Sequence, residues 1–377
     1  MPPLPRKLCM SALLLDIEHQ PFMPTTMKEG WTSQLYIRDA RPIDLTINIA
    51  DYLRDEADSN EFPERPDLVI QRVKRDSCKF SETTPELWQT IEDSLVQLVY
   101  SSNFIELTGS SYRVTDQLCR KVFRGEKVDA VVEERSQEYQ DARDALLAQF
   151  PDSAVTRQTV YRSRQEVINH ARALDYAIEH FVLDSEPISE LFLKECHKIL
   201  CDGVLDSDAG YAGEYRTWEI AARHGMKKNS QFIRAKAVPS YMAELVRHIE
   251  EDLIMAETSK ALDPFDMASR CCHRFVCIHP FGDGNGRMCR ILLNIILLKY
   301  GGHVSCFGGT EAEREEYLDL AQRANKQFHV EDMEMEEHNK TGHRELAKLI
   351  LRKSKRTLSD LWRWCVSNQG LGLQNIH

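Results

Sequence analysis

Twelve consecutive residues hold most of the reactive chemistry of this chain: His279-Pro280-Phe281-Gly282-Asp283-Gly284-Asn285-Gly286-Arg287-Met288-Cys289-Arg290. They combine a base, a carboxylate, a glycine-rich turn and two guanidiniums. An imidazole with an ordinary pKa near ~6.5 is neutral enough at cellular pH for His279 to accept a proton. Asp283 offers a hard oxygen to one Mg²⁺, an ion held mostly by phosphates and water. Gly284, Asn285 and Gly286 let an anion approach the backbone, and Arg287 and Arg290, three residues apart, reach toward one anion from adjoining parts of a helical face. A polyphosphate fits this set better than a lone carboxylate.

The flanking patterns place these groups. Asp263 and Pro264 read as N-cap and first helical residue, and Phe265, Ala268, Cys272, Phe275 and Val276 repeat at helical spacing up to Ile278. After the turn, Met288, Ile291, Leu292, Ile295, Ile296 and Leu298 continue helically to Gly301-Gly302. The glycine-rich turn therefore opens a helix, whose free N–H groups and positive dipole end attract phosphate. A dinucleotide fingerprint is excluded because Met288-Cys289 follow in a helical context with no third glycine, and a calcium loop starting at Asp283 would need ligands at Arg287 and Asn294.

The stretch resembles the signature of the Fic (Fido-domain) family, His-x-Phe-x-Asp/Glu-Gly-Asn-Gly-Arg-x-x-Arg, and meets every fixed position. The resemblance implies transfer of a nucleoside monophosphate, usually AMP from ATP, to a Ser, Thr or Tyr hydroxyl of a target protein. His279 would be the general base, Asp283 the Mg²⁺ ligand and Phe281 the apolar anchor of the loop. Gly284, Asn285 and Gly286 would cradle the phosphates, with Arg287 and Arg290 on the β and γ groups.

A second stretch carries a carboxylate that needs a partner. Thr84-Pro85-Glu86 is a helix start, and the helix it opens runs to about Leu107. Trp88, Ile91, Leu95, Leu98 and Val99 form one stripe, and Ser102 and Glu106 fall inside it. An unpaired carboxylate on a packing face is costly, so Arg290 is the expected partner. Ser102 to Glu106 resembles the family's inhibitory helix, Ser/Thr-x-x-x-Glu-Gly/Asn, except that Leu107 stands where the family has Gly or Asn. The resemblance implies that Glu106 competes with the γ-phosphate. Two alternatives stay open: a hydrolase that removes AMP, with Glu106 orienting water, and a nucleotide-regulated binding module without chemistry.

Composition sets the wider frame. The 377 residues, 42% of them apolar, support a sizeable core, and a net charge of -11 implies no general nucleic-acid binding. The eleven cysteines, paired in spacing only at Cys271-Cys272, read as reduced core residues. The apolar run Leu8 to Leu15 is short for a signal peptide and lacks a small-residue cleavage site. Ile291 to Tyr300 is too short to span a membrane. The expectation is a cytoplasmic or nuclear protein, with a homo-oligomer left open.

The fold expected is mainly α: a Fic-type helical core over residues 84–332, including the inhibitory helix at about 84–107, between an N-terminal extension (1–83) and a C-terminal helical tail (333–377). Arg216 to Ala222 and Phe232 to Val238 read as extended segments around a polar loop, Arg223 to Gln231. This hairpin resembles the family's flap, about residues 216–238, which receives the target's extended segment by strand addition. Asn325 is the expected contact to the nucleotide base or ribose, with Tyr317 as packing. His170 reads as structural, and the basic run Arg352, Lys353, Lys355 and Arg356 as a solvated face.

Overall fold

The structure is a computed structural model that describes residues 44–45, 85–151, 154–204, 211–224, 228–259, 261–336, 339–354 and 357. The apolar runs of the N-terminal extension before Asp44, and Lys355 and Arg356, lie outside the described residues. So does the side chain of Trp88.

The described chain is mainly helical. In order come α1 (Pro85–Ile105), α2 (Tyr112–Phe123), α3 (Gln137–Gln149), α4 (Arg157–Ala177) with a π-helical continuation Ile178–Leu183, and α5 (Glu190–Cys201). Then follow α6 (Val238–Ser259), α7 (Pro264–Ile278), α8 (Asn285–Ile296) with a π turn Leu297–Gly301, α9 (Glu311–Glu334) and a helix over 344–354. Side-chain caps start several of them: Ser111, Ser136, Thr156, Ser189, Asp263 and Thr310 each accept an N–H of the first turn. No helix of the described residues is long and apolar enough to cross a membrane.

At the centre is α8, whose residues from Arg287 to Ile296 are all buried. A helix covered on every side sits in the middle of a domain. Here α7 packs along it, and α1 and α4 close it from other directions. Its one interior amide, Asn294, is satisfied at both ends, donating to Arg290 O at 3.0 Å and accepting from Ser305 N at 2.7 Å. The apolar stripe of α1 is buried as its spacing predicts, with Ile91, Leu95, Leu98 and Val99 in the core.

The strands are few and short. β1 (Asp44–Leu45) pairs in parallel with β4 (Ala261–Leu262), placing Asp44 opposite Ala261. β2 (Ala221–His224) and β3 (Lys228–Gln231) form the antiparallel hairpin, with Ala221 opposite Gln231 and His224 opposite Lys228. The second strand thus lies inside the stretch expected to be the loop, and the first straddles its border, with Ala221 and Ala222 in the expected strand and Arg223 and His224 in the expected loop. Arg216 is drawn onto the signature loop, its N–H donating to Pro280 O at 2.9 Å. Beyond the second strand, Ala235–Ala237 is a 3₁₀ turn that leads into α6 at Val238. The ladder is made by main-chain bonds in a sequence without apolar alternation, which is why periodicity missed it.

Candidate active site

The signature loop joins the C-terminus of α7 to the N-terminus of α8. His279 is the residue after α7 and has a left-handed backbone, φ 54°. Its half-buried ring stacks on Phe232, centroids 3.8 Å apart, and Nδ1 lies 3.2 Å from Val276 O. A carbonyl only accepts, so Nδ1 carries the hydrogen and Nε2 keeps its lone pair. Burial lowers the His279 pKa to about 4, against opposing contributions from the Val276 carbonyl and Glu106. The ring is neutral at cellular pH. A bound polyphosphate would raise its basicity by adding negative charge nearby.

Gly284 caps α8 with φ 74°, a conformation that glycine adopts without strain. Phe281 anchors the loop as expected: it is fully buried and stacks on His197 at 3.7 Å with ring planes 7° apart. The Asn285 side chain has a job in the loop itself. Its amide closes a ring with Phe281, accepting from Phe281 N at 2.9 Å and donating to Phe281 O at 2.8 Å, so its side chain shapes the loop and its backbone is what remains for an anion.

Both arginines of the signature are buried. Among the described residues Arg287 Nε and Nη1 have no hydrogen-bond partner, and Arg287 Nη2 lies 3.6 Å from Asp283 Oδ2. Two buried donors of a charged group without acceptors mark a place for an anion. Asp283 is half-exposed, and its Oδ1 accepts from Gly284 N at 2.6 Å. A half-exposed hard oxygen beside an anion cradle fits one Mg²⁺ ligated mainly by phosphate and water. Among the described residues, the three-donor cluster His180, Asp184 and Glu186 does not include Asp283.

Arg290 meets α1. Its Nη2 is 2.6 Å from Glu106 Oε1 and 2.9 Å from Ser102 O, and its Nε donates to Ser102 Oγ at 2.8 Å. Burial alone would lower the Arg290 pKa, but the Glu106 carboxylate, with Tyr317 and Cys289 acting in the same direction, raises it and the group stays charged. Glu106 is not inside the packing face, as its spacing suggested, but just past the end of α1, with 35% of its side chain exposed. From there it enters the cradle: a Cβ on Gly286 would lie 2.0 Å from Glu106 Oε1. Glycine at 286 leaves the volume that this carboxylate occupies.

Asn325 points to the hairpin, donating to Gln231 O at 3.0 Å, and His329 contacts the same carbonyl at 2.8 Å. The Asn325 amide thus holds the second strand of the hairpin. Tyr317 is buried, with the Arg290 guanidinium 5.6 Å from its ring centre. Arg352 and Lys353 pair with Glu316 and Glu313 of α9, so part of the basic run is neutralised locally.

Two positioning side chains escaped the sequence reading. His197 Nδ1 accepts from Gly213 N at 2.9 Å, which leaves Nε2–H to donate to Asp283 O at 3.0 Å. Its signal was faint: a histidine beside Cys196 on the buried face of α5. Arg216, read only as a strand residue, is fully buried against the base. His170 is structural, as read, with Nδ1 2.8 Å from Asn103 Oδ1 of α1.

The buried histidines make acid stability a direct test of this packing. Burial lowers His197, His273, His279 and His303 to about 4, well below an unfolded value near ~6.5. The unfolded chain therefore takes up protons first as pH falls. Unfolding free energy is expected to be flat above pH ~6.5 and to fall toward pH ~4, by up to about 1.4 kcal/mol per pH unit for each histidine. Denaturant midpoints measured between pH 4 and 8 check this, and a flat profile would contradict it.

Residues 187–297 match the profile of the Fic/DOC family. A Fido domain-containing protein from Dictyostelium discoideum is 32% identical over 152 residues, which are 40% of this chain and 90% of that protein. The protein adenylyltransferase fic-1 of Caenorhabditis briggsae is 31% identical over 119 residues, 29% of this chain but 22% of that protein. Among solved structures, a Fic domain-containing signalling protein from Bacteroides thetaiotaomicron is similar with a TM-score of 0.56 at 19% identity, over 79% of this chain and 97% of that one. That solved structure shares the fold.

Proposed function

Because the chain belongs to the Fic/DOC family, we propose that it is a protein adenylyltransferase that moves AMP from ATP to a Ser, Thr or Tyr hydroxyl and is held back by Glu106. One observation carries this reading: a neutral imidazole with a free Nε2 lone pair is carried by the same short loop that leads into a helix N-terminus with two buried arginines. Proton acceptor and anion cradle are then adjacent, as nucleotidyl transfer requires.

In the proposed reaction the target hydroxyl oxygen attacks the α-phosphorus as its proton passes to His279 Nε2. The bond from the α-phosphorus to the oxygen bridging it to the β-phosphorus breaks, and pyrophosphate leaves past Arg287 and Arg290. Asp283 would hold Mg²⁺, which when bound offsets the charge of the phosphates. The N–H groups at the start of α8 and the guanidinium of Arg287 hold the phosphates in place. The hairpin edge at β2 and β3 would align the target's extended segment by strand pairing.

Labelled ATP tests the proposal. Incubation with Mg²⁺ and a soluble lysate is expected to place label from the α position, and not from the γ position, on protein. Label from γ alone would replace AMP transfer with phosphate transfer.

Leu107 tunes the brake in this reading. It follows Glu106 with φ 55° and is 45% exposed. A left-handed leucine costs about 1–2 kcal/mol, partly offset in any glycine replacement by about 0.5–1 kcal/mol of extra unfolded-state entropy. Leu107→Gly is therefore expected to raise the melting temperature by about 1–3 °C and to lower basal transfer by about two- to fivefold, as Glu106 is held more firmly. Scanning fluorimetry and the labelling assay read both, and a faster Leu107→Gly enzyme would remove leucine from the control of Glu106.

A further inference from the structure

The side chain of Arg216 is fully buried, yet among the described residues it meets no carboxylate closer than Glu219 Oε2 at 3.9 Å. Its guanidinium instead donates to four backbone carbonyls. Nε reaches His279 O at 2.7 Å, Nη1 reaches Trp218 O at 3.0 Å, and Nη2 reaches Ile278 O at 3.3 Å and the carbonyl of Ile233. The Arg216 N–H adds a main-chain bond to Pro280 O at 2.9 Å.

These acceptors fall into two groups. Ile278 O and His279 O lie at the C-terminus of α7, where carbonyls lack intrahelical partners and the dipole is negative. That environment favours a buried cation without a carboxylate. Trp218 and Ile233 are the roots of the two arms of the hairpin, outside β2 and β3. One rigid, planar fork thus spans the loop that carries the base and both roots of the hairpin. Phe232, next to Ile233, stacks on the His279 ring, so the same connection covers the imidazole face. The His279 backbone is left-handed, a conformation that surrounding contacts must maintain.

We infer that Arg216 is a positioning residue: it locks the His279 carbonyl and the hairpin roots into one body, so that the base and the target hydroxyl laid along the hairpin keep a fixed separation. The inference rests on the proposed transfer for its kinetic consequence and on geometry alone for its structural one. Lysine carries the same charge, but its single nitrogen cannot span both groups of carbonyls. A displacement of about 1 Å between reacting groups costs on the order of 10²-fold in rate.

The test compares wild type, Arg216→Lys and Arg216→Gln, all as the full chain. In both variants kcat for protein labelling is expected to fall about 10- to 100-fold, while the Kd for ATP stays within threefold. Imidazole nitrogen NMR is read in parallel, with the His279 signal identified by its loss in His279→Ala. The variants are expected to show mixed tautomers at His279 and a pKa moved toward ~6.5. Wild-type kcat together with an unchanged His279 signal in Arg216→Lys would overturn the inference. So would loss of the folded state in both variants, which would make Arg216 a folding residue only. If no version of the chain labels protein, the transfer reading fails while the NMR comparison still decides the role of Arg216.

Discussion

Replacing His279 by alanine is expected to lower protein labelling by about 10²- to 10⁴-fold while changing ATP affinity less than threefold. The rate expectation follows from the usual contribution of a positioned general base. The affinity expectation follows from the separation of roles in the proposed reaction: Arg287, Arg290 and the start of α8 would bind phosphate, and the imidazole is tied through Nδ1 to Val276. Alanine also faces a left-handed backbone and leaves Phe232 without its stacking partner. His279→Asn controls for that, because asparagine tolerates the left-handed region better. Both variants should retain cooperative melting and lose labelling alike. Transfer at the wild-type rate by either folded variant would remove His279 as the base.

Replacing Glu106 by glycine is expected to raise labelling by about 10- to 100-fold, the range of a coupling worth about 1.4–2.7 kcal/mol. The carboxylate is held by one short contact to Arg290 Nη2 at 2.6 Å and lies in the space that Gly286 leaves open. Without it, Arg290 still donates to Ser102 through Nε and Nη2, so the guanidinium keeps its orientation and gains room for an anion. The same variant should melt earlier, because a buried guanidinium loses its countercharge. A more active and less stable protein is the signature expected of a removed brake. Unchanged labelling would reduce the pair to a structural contact. A chain whose main activity is AMP removal would lose that activity in Glu106→Gly, which a pre-labelled target protein would report.

How much of this was readable in the sequence differs from residue to residue. His279, Asp283, the glycines, Arg287 and Arg290 were legible because they are adjacent and their spacing sets a helix start. Phe281 was expected as an anchor only through the resemblance to the family signature, and it is fully buried. Glu106 and Arg290 are 184 positions apart, and they were joined by a physical argument, since a carboxylate on an apolar stripe needs a cation. That argument found the partner but put the carboxylate inside the packing face, where in the structure it stands past the last turn of α1.

The hairpin was legible as a hairpin and misread in its strands. Periodicity reports which side chains are buried, and a two-stranded ladder held by main-chain bonds has no such pattern. The bonds that the side chains of Asn285 and Asn325 make within the protein were not legible, because an amide bonds whatever donor or acceptor the fold brings near. The fold brought Phe281 to one and Gln231 to the other. His197 and Arg216 carried almost no local signal. Each acts on backbone carbonyls and amides, and every residue type presents those alike.

By itself, then, the sequence determined the helical class, the turn that opens α8 and the chemical identity of the groups gathered there. These follow from local spacing and from propensities that act over a few residues. Only the tertiary structure decided which tautomer His279 holds, where Glu106 enters the cradle, and which buried cation ties the base to the hairpin. Those depend on main-chain atoms and burial brought together from distant parts of the chain, which no spacing of side chains encodes.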